Sequence, residues 1–345
     1  MKIKFYNLKP NQRNRRLPVL LALLMGFESL FVSGCSRKYP EVTRSYFALD
    51  TVLQITICDE NLSTDEKETV LEDCFSLIGH YESILSATRQ DSEIYALNHA
   101  QGKWVTVSED TLDVLNLALS FCDKTDGVVD ITMESVLNLW DFSGNTAVLP
   151  DDNALKEALT HVDYHVLEID GYRVRLTDPE AQVSLGFIAK GYIAMKVRDT
   201  MTNTGVTKAL INLGGNIVTL GTNTSGTPFL IGIRDPKGDA DDILMTVEAT
   251  DVSVVTSGNY ERCFVLKGER YYHLLDTKTG YPASKELSQV TIIGPDSSIC
   301  DALSTTLFLL GEEKGSAFLT DYPDYSACFV FEDGNISTCG NFPIN

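Results

Sequence analysis

The stretch VSLGFIAKGYIAMKV (residues 183–197) decides how the rest of the chain is read. Val183, Ser184 and Leu185 read as the end of a strand, which Gly186 breaks. Ile188, Tyr192 and Met195 then recur three to four apart, widened by Ile193 and Val197, the stripe of an amphipathic helix. Lys190 and Gly191 fall in the first turn of that helix. A first turn offers unpaired backbone N–H groups and the positive end of the helix dipole, so an anion is favoured there. Lys190 adds a full charge at the same point. Taken alone, the pattern fits either an anion site or a plain packing junction between strand and helix.

Outward from this stretch, helical patterns crowd the first half of the chain and strand patterns the second. Ser63-Thr-Asp-Glu66 is a capping box that opens a helix running to about Leu85. SEIYALN (92–98) reads as a short helical turn, and Ser108 caps a helix stopped by Asp126-Gly127. Residues 127–142 mix turn and apolar character and give no clear element. Asp151 opens a helix to Leu159, and YHVLEIDGYRVRL (164–176) reads as a hairpin turned at Asp170-Gly171. Residues 46–58 alternate as one strand, with Leu53, Ile55 and Ile57 on one face. ALINLGGNIVTLG (209–221) reads as strand, Gly-Gly turn, strand, and strand runs follow to residue 293. Ser297 or Ser298 caps a helix ending at Gly311, and a strand near 326–331 closes the chain. No repeat and no long linker divides it, so the pattern predicts a single α+β body of mixed and antiparallel sheet with flanking helices.

The 345 residues carry a formal charge of −20, unevenly placed. Six basic residues and one acidic residue, Glu28, lie in the first 34, which leaves 22 basic against 47 acidic residues and a net −25 beyond them. So acidic a surface excludes nucleic acid or anionic lipid as partner of the whole face, and a polyanionic ligand would need a local cation. The basic head runs into LPVLLALLMGF and ends at Val32-Ser33-Gly34-Cys35, the pattern of a signal peptide with a lipobox. Its apolar run is too short to span a bilayer. The expectation is residues 1–34 as signal, Cys35 as the lipidated thiol, 35–45 as tether and 46–340 as the working domain, at the extracytoplasmic face of a bacterial membrane. Seven further cysteines, odd in number and without CxxC spacing, read as small buried hydrophobes rather than a disulfide framework.

Four more clusters carry candidate chemistry. Asn212-Leu-Gly-Gly-Asn216 places two glycines after a strand, either for a tight turn or for backbone pressed against a ligand. Thr256-Ser-Gly-Asn-Tyr260 reads as a loop. Tyr271-Tyr-His-Leu-Leu-Asp276 carries His273, a structural histidine or a general base. In Cys300-Asp-Ala-Leu-Ser-Thr-Thr306, Asp301 and Thr305 share one face of an apolar helix. They either hydrogen-bond each other or offer two hard oxygens to Mg²⁺.

AKG, NLGGN, TSGNYE, HLLDTKTGYP and DALSTTLFLLG, in that order, resemble the FAD:protein FMN transferases, the ApbE-like family, and DTV (50–52), SEIYALN, and DGVVDIT followed by NLWDF resemble its N-terminal half. The resemblance spans roughly residues 45–340. It implies that FMN is moved from FAD, with Mg²⁺, onto a Thr or Ser hydroxyl of a partner protein, such as a subunit of a membrane redox complex, with release of AMP. It implies His273 as the base, and a metal held by the Phe187 carbonyl, Asp301 and Thr305. Leu49, Asp50, Thr51, Asn98, Asp130, Thr132, Lys190, Gly214, Gly215, Gly258 and Asp276 would bind the nucleotide. The chain departs from the family pattern at Ser184, usually Asp, and at Val129, Ser135 and Thr277. Two other activities stay compatible with the same motifs: hydrolysis of FAD to FMN and AMP, and flavin carriage without turnover.

Overall fold

Leu53, Ile55 and Ile57 alternate along one strand and all are fully buried, as in a sheet with one face on a core. The computed structural model describes residues 38–142, 147–239, 241–283 and 286–343. The expected signal segment and Cys35 lie outside the described residues. From Lys38 the chain packs as one unit.

The strands β1 (Val42–Ala48) and β2 (Thr51–Ile57) form a hairpin. The expected tether therefore gives way to strand at Val42, and residues 46–58 are two strands instead of one. Their two-residue turn is Leu49-Asp50, with φ of 54° and 57°, a type I′ geometry without its usual Asn or Gly. The turn is held from outside, because the Leu49 N–H donates to Glu82 Oε1 at 2.6 Å. Just upstream of β1, the fully buried Lys67 donates from Nζ to the Pro40 carbonyl at 2.6 Å.

Glu82 and Lys67 belong to α1 (Thr64–Leu85), which opens with the Ser63/Glu66 capping box. It is followed by α2 (Glu93–Asn98), β3 (Val105–Thr106), α3 (Glu109–Thr125), α4 (Glu134–Leu137) and α5 (Asp152–Leu159). The hairpin β4 (Leu167–Asp170) and β5 (Arg173–Leu176) turns at Gly171-Tyr172, one residue later than the Asp-Gly signal suggests. Gly171 alone has positive φ, so the turn resembles type II′. Residues 183–185 are not a strand. They are tied down by Asn98, whose amide donates to the Val183 carbonyl and accepts its N–H at 2.9 and 2.7 Å.

Helix α6 (Ala189–Asn203) places Lys190 and Gly191 in its first turn, as expected. The second half supplies β6 (Ala209–Leu213), β7 (Asn216–Leu220), β8 (Phe229–Arg234), β9 (Ile243–Ala249) and β10 (Ser253–Gly258). Then come β11 (Cys263–Leu266), β12 (Glu269–Tyr272) and β13 (Leu287–Gly294). Helix α7 (Ser297–Leu319) follows, capped by Asp296. Gly311 does not end this helix; it kinks it, with φ 76°, and a further stretch continues to Leu319. The chain finishes with β14 (Ser326–Phe331) and β15 (Ile336–Cys339).

Eight strands join in one antiparallel sheet in the order β1-β2-β6-β7-β10-β13-β14-β15. Period-two alternation divides its faces. Ile55, Ile211, Val255 and Ile292 pack in the main core with α1, α6 and α7, while Val254 and Ile293 pack with Phe229, Ile231 and Val247 of the β8–β9 hairpin. Strand β13 is buried along its whole length for that reason. A third cluster, around Val136, Trp140, Leu155 and Phe264, unites α4, α5 and the β11–β12 hairpin. All seven cysteines of the described residues are free, five of them buried.

Helices α6 and α7 meet at Gly191. A Cβ there would lie 2.1 Å from the Ser297 carbonyl oxygen and 2.7 Å from Asp301 Cβ. Only a bare backbone permits this approach. Gly191→Ala is expected to cost about 1–3 kcal/mol through overpacking, read by chemical denaturation. A smaller loss than for a surface Gly→Ala control would contradict the close crossing.

Candidate active site

The cleft lies where the third apolar cluster leans against the main core, and encloses about 740 Å³. Phe187, Lys190, Asp301 and Thr305 line it, as do Gly214 and His273. Leu49, Asp50 and Thr51 reach it from the β1–β2 turn, and Asp130 from the loop before α4. Residues scattered over more than 250 positions of sequence thus face one space.

Asp301 is only 3% exposed, and its Oδ2 accepts the Gly191 N–H at 2.9 Å. Burial pushes its carboxyl pKa up; Lys190, the Gly191 N–H and Asn216 act against that. Asn216 Nδ2 faces Asp301 without reaching hydrogen-bond geometry and stays unpartnered. Thr305 is held by Ser257, whose Oγ lies 3.1 Å from Thr305 Oγ1 and 2.7 Å from Ser304 Oγ. A buried carboxylate with one nearby lysine, a positioned hydroxyl and the carbonyl of Phe187 in the turn before α6 are hard oxygen donors on one cleft. That donor set fits a Mg²⁺ ion that keeps open positions.

His273 follows β12, and its backbone N–H donates to the Arg262 carbonyl at 3.1 Å. Its Nδ1 is buried without a protein partner. Burial, then the charges of Arg262 and Lys190, push its pKa down to about 3. The imidazole is therefore neutral at physiological pH, the form that accepts a proton.

Several expected ligands do not line the cleft. Asn98 spends its amide on Val183. Thr132 is fully buried, donating to Asp130 Oδ1 at 2.6 Å and accepting the Asp163 N–H at 2.9 Å. Asp276 caps its own turn by accepting the N–H groups of Lys278 and Thr279. Gly215 closes the β6–β7 turn with φ 94°, and Gly258 makes room for the Tyr260 ring, 2.5 Å from where its Cβ would sit. None of these five lines the cleft, and each has polar groups or space engaged within the fold. Asp130 lines the cleft, yet its carboxylate also accepts from Thr132 and from the Tyr164 N–H.

Three charged cleft residues escape a sequence reading. Glu134 is pushed up by burial and held back by the nearby Ser184 hydroxyl and by Arg262. The serine that replaces the usual Asp thus faces a carboxylate, where an aspartate would repel. Glu261 opens to cleft solvent, but the surrounding walls raise its pKa against the pull of Lys190, and Asp301 adds to the rise. The charge of Arg262 acts on both of these and on His273. Glu261 ends the TSGNYE motif without a role read for it, and the signal for Arg262 was its position directly after that motif, at the foot of a hairpin. Thr277, where the family pattern has Pro, donates to the Gly127 carbonyl at 2.8 Å and ties that hairpin to the α3 end.

A family model described as the ApbE family matches residues 49–329. The chain belongs to the ApbE family. A relative from Treponema pallidum, named FAD:protein FMN transferase, is 34% identical over 337 residues, covering 93% of this chain and 92% of that protein. One of the same name from Klebsiella pneumoniae is 38% identical over 272 residues, covering 78% and 84%. Among solved structures, the ApbE protein of Thermotoga maritima superposes with a TM-score of 0.79 at 31% identity, covering 87% of this chain and 97% of that one. The flavin transferase ApbE of Vibrio cholerae gives 0.77 at 26% identity, covering 88% and 98%. The ApbE fold is thus the mixed helix and antiparallel-sheet architecture expected from the sequence.

The depressed His273 has a consequence for stability. The unfolded chain binds a proton near the ordinary value of 6.5 and the folded protein only near 3, so folding weakens as pH falls through that window. His273→Asn should remove this contribution and flatten the pH dependence between those limits in denaturation at several pH values. Parallel curves for the two proteins would contradict a neutral buried imidazole.

Proposed function

We propose that this ApbE-family protein transfers FMN from FAD to a Ser or Thr hydroxyl of another protein and releases AMP. The observation that carries the reading is the convergence of Lys190, Asp301, Thr305 and the unpartnered His273 on one cleft, in a chain whose relatives are named FAD:protein FMN transferases. In this reading the acceptor oxygen attacks the FMN phosphorus. The bond from that phosphorus to the bridging oxygen breaks, and AMP leaves with the bridging oxygen. Neutral His273 takes the hydroxyl proton. Lys190, on the first turn of α6, binds the diphosphate where the helix dipole also favours it. Asp301, Thr305 and the Phe187 carbonyl would hold Mg²⁺, which supplies charge neutralisation on the transferring phosphoryl group. The Gly191 N–H and Ser257 orient the two side-chain donors. The acceptor would be an exported flavoprotein or a subunit of a membrane redox complex, met at the extracytoplasmic membrane face where a lipidated Cys35 would hold the chain.

Incubating residues 38–345 with FAD, Mg²⁺ and an acceptor bearing a Ser/Thr-Gly-Ala-Thr site should yield a fluorescent acceptor band on a denaturing gel and one added FMN by intact mass. His273→Ala should abolish the band while leaving FAD binding intact. Free FMN with no labelled acceptor would favour hydrolysis instead, and binding without either product would favour a carrier. Ser257→Ala, which frees Thr305 from its partner, should weaken Mg²⁺ binding about tenfold in a calorimetric titration. An unchanged affinity would remove Thr305 from the ligand set.

A further inference from the structure

A long ion pair joins two walls of the cleft. Arg262 Nη2 lies 3.9 Å from Asp50 Oδ2, and the two side chains are 57% and 84% exposed. Both line the cleft from different walls, Asp50 in the β1–β2 turn and Arg262 at the foot of β11. So exposed and so long a pair is easily exchanged.

The two ends differ in freedom. Asp50 has φ 57° in a turn whose Leu49 N–H is held by Glu82, and Thr51 beside it packs against Gly214. Its carboxylate is carried on a short, fixed arm. Arg262 is fixed only at its backbone, where its carbonyl accepts the His273 N–H. Its guanidinium rides on a long stem.

Three cations line the cleft among the described residues: Arg89, Lys190 and Arg262. Arg89 is occupied by two hydrogen bonds to Asp91, at 3.1 and 2.8 Å. Lys190 faces Asp301 and Glu261. Arg262 adds to the charge of Lys190 a planar fork suited to two phosphate oxygens at once.

We propose that Arg262 is a latch: it rests on Asp50 across the cleft and leaves it to grip the diphosphate of the incoming dinucleotide. This rests on the transferase reading for the identity of that dinucleotide. Asp50 is then a competitor for the arginine rather than a ligand of the nucleotide. The carbonyl of Arg262 and the N–H of His273 couple the closing arm to the base, so the same residue sets anion and imidazole side by side.

The competition gives opposite signs for two substitutions. With Mg²⁺ at fixed concentration, FAD and ADP binding are measured by flavin fluorescence and calorimetry, and riboflavin serves as the phosphate-free probe. Asp50→Asn keeps a residue that tolerates the left-handed turn and should tighten FAD and ADP by about two- to fivefold. Arg262→Gln should weaken both by about tenfold or more, and leave riboflavin unchanged. In the double variant, the gain from Asp50→Asn should vanish. Arg262→Lys, with charge but no fork, should fall between. Thermal unfolding of each variant checks that the fold is intact. Unchanged FAD and ADP affinity in Arg262→Gln, or a gain from Asp50→Asn that persists in the double variant, overturns the latch while wild-type FAD binding upholds the transferase reading. Failure of the wild-type protein to bind FAD overturns both.

Discussion

The whole site hangs on the contact between two helices at a residue with no side chain. Gly191 lets α6 approach α7 until its backbone N–H reaches Asp301 Oδ2 at 2.9 Å, and nothing larger than hydrogen fits there. That one hydrogen bond orients a buried carboxylate, sets its distance from Lys190 one residue earlier, and brings the first turn of α6 to the middle of α7. The sheet beneath exists, in this sense, to hold two helices close: β10 and β13 carry α7, and β7 packs under α6.

Around that contact the charges form a graded field. The body of the protein is strongly acidic, yet the cleft gathers Lys190 and Arg262 beside His273, whose proton they help to expel. The carboxylates there, Asp301, Glu134 and Glu261, all sit above their ordinary range because the cleft walls reduce their hydration. Each is held back by a neighbouring cation or hydrogen bond. Such a site attracts a polyanion locally against a repulsive surround.

Much of this was legible from residues alone where local physics decides. The capping box at Ser63, the turn after Leu213 and the first-turn placement of Lys190 follow from short-range rules and hold in the structure. Where distant groups decide, the sequence misleads. Leu49-Asp50 turns the chain only because Glu82, 33 residues on, takes its N–H. Residues 183–185 look like a strand, but Asn98 supplies the partners a ladder would have given. Thr132, Asn98 and Asp276 fall within family motifs, and their bonds within the fold show only in the hydrogen-bond pattern. Arg262 was passed over because an exposed arginine at a hairpin foot carries no local signature.

The buried Lys67 also determines where mechanical load travels. Its ammonium grips the Pro40 carbonyl from within α1, upstream of the hairpin whose turn forms the lip of the cleft. A pull applied at Lys38 therefore meets a bond to the 22-residue helix α1 before it meets the hairpin.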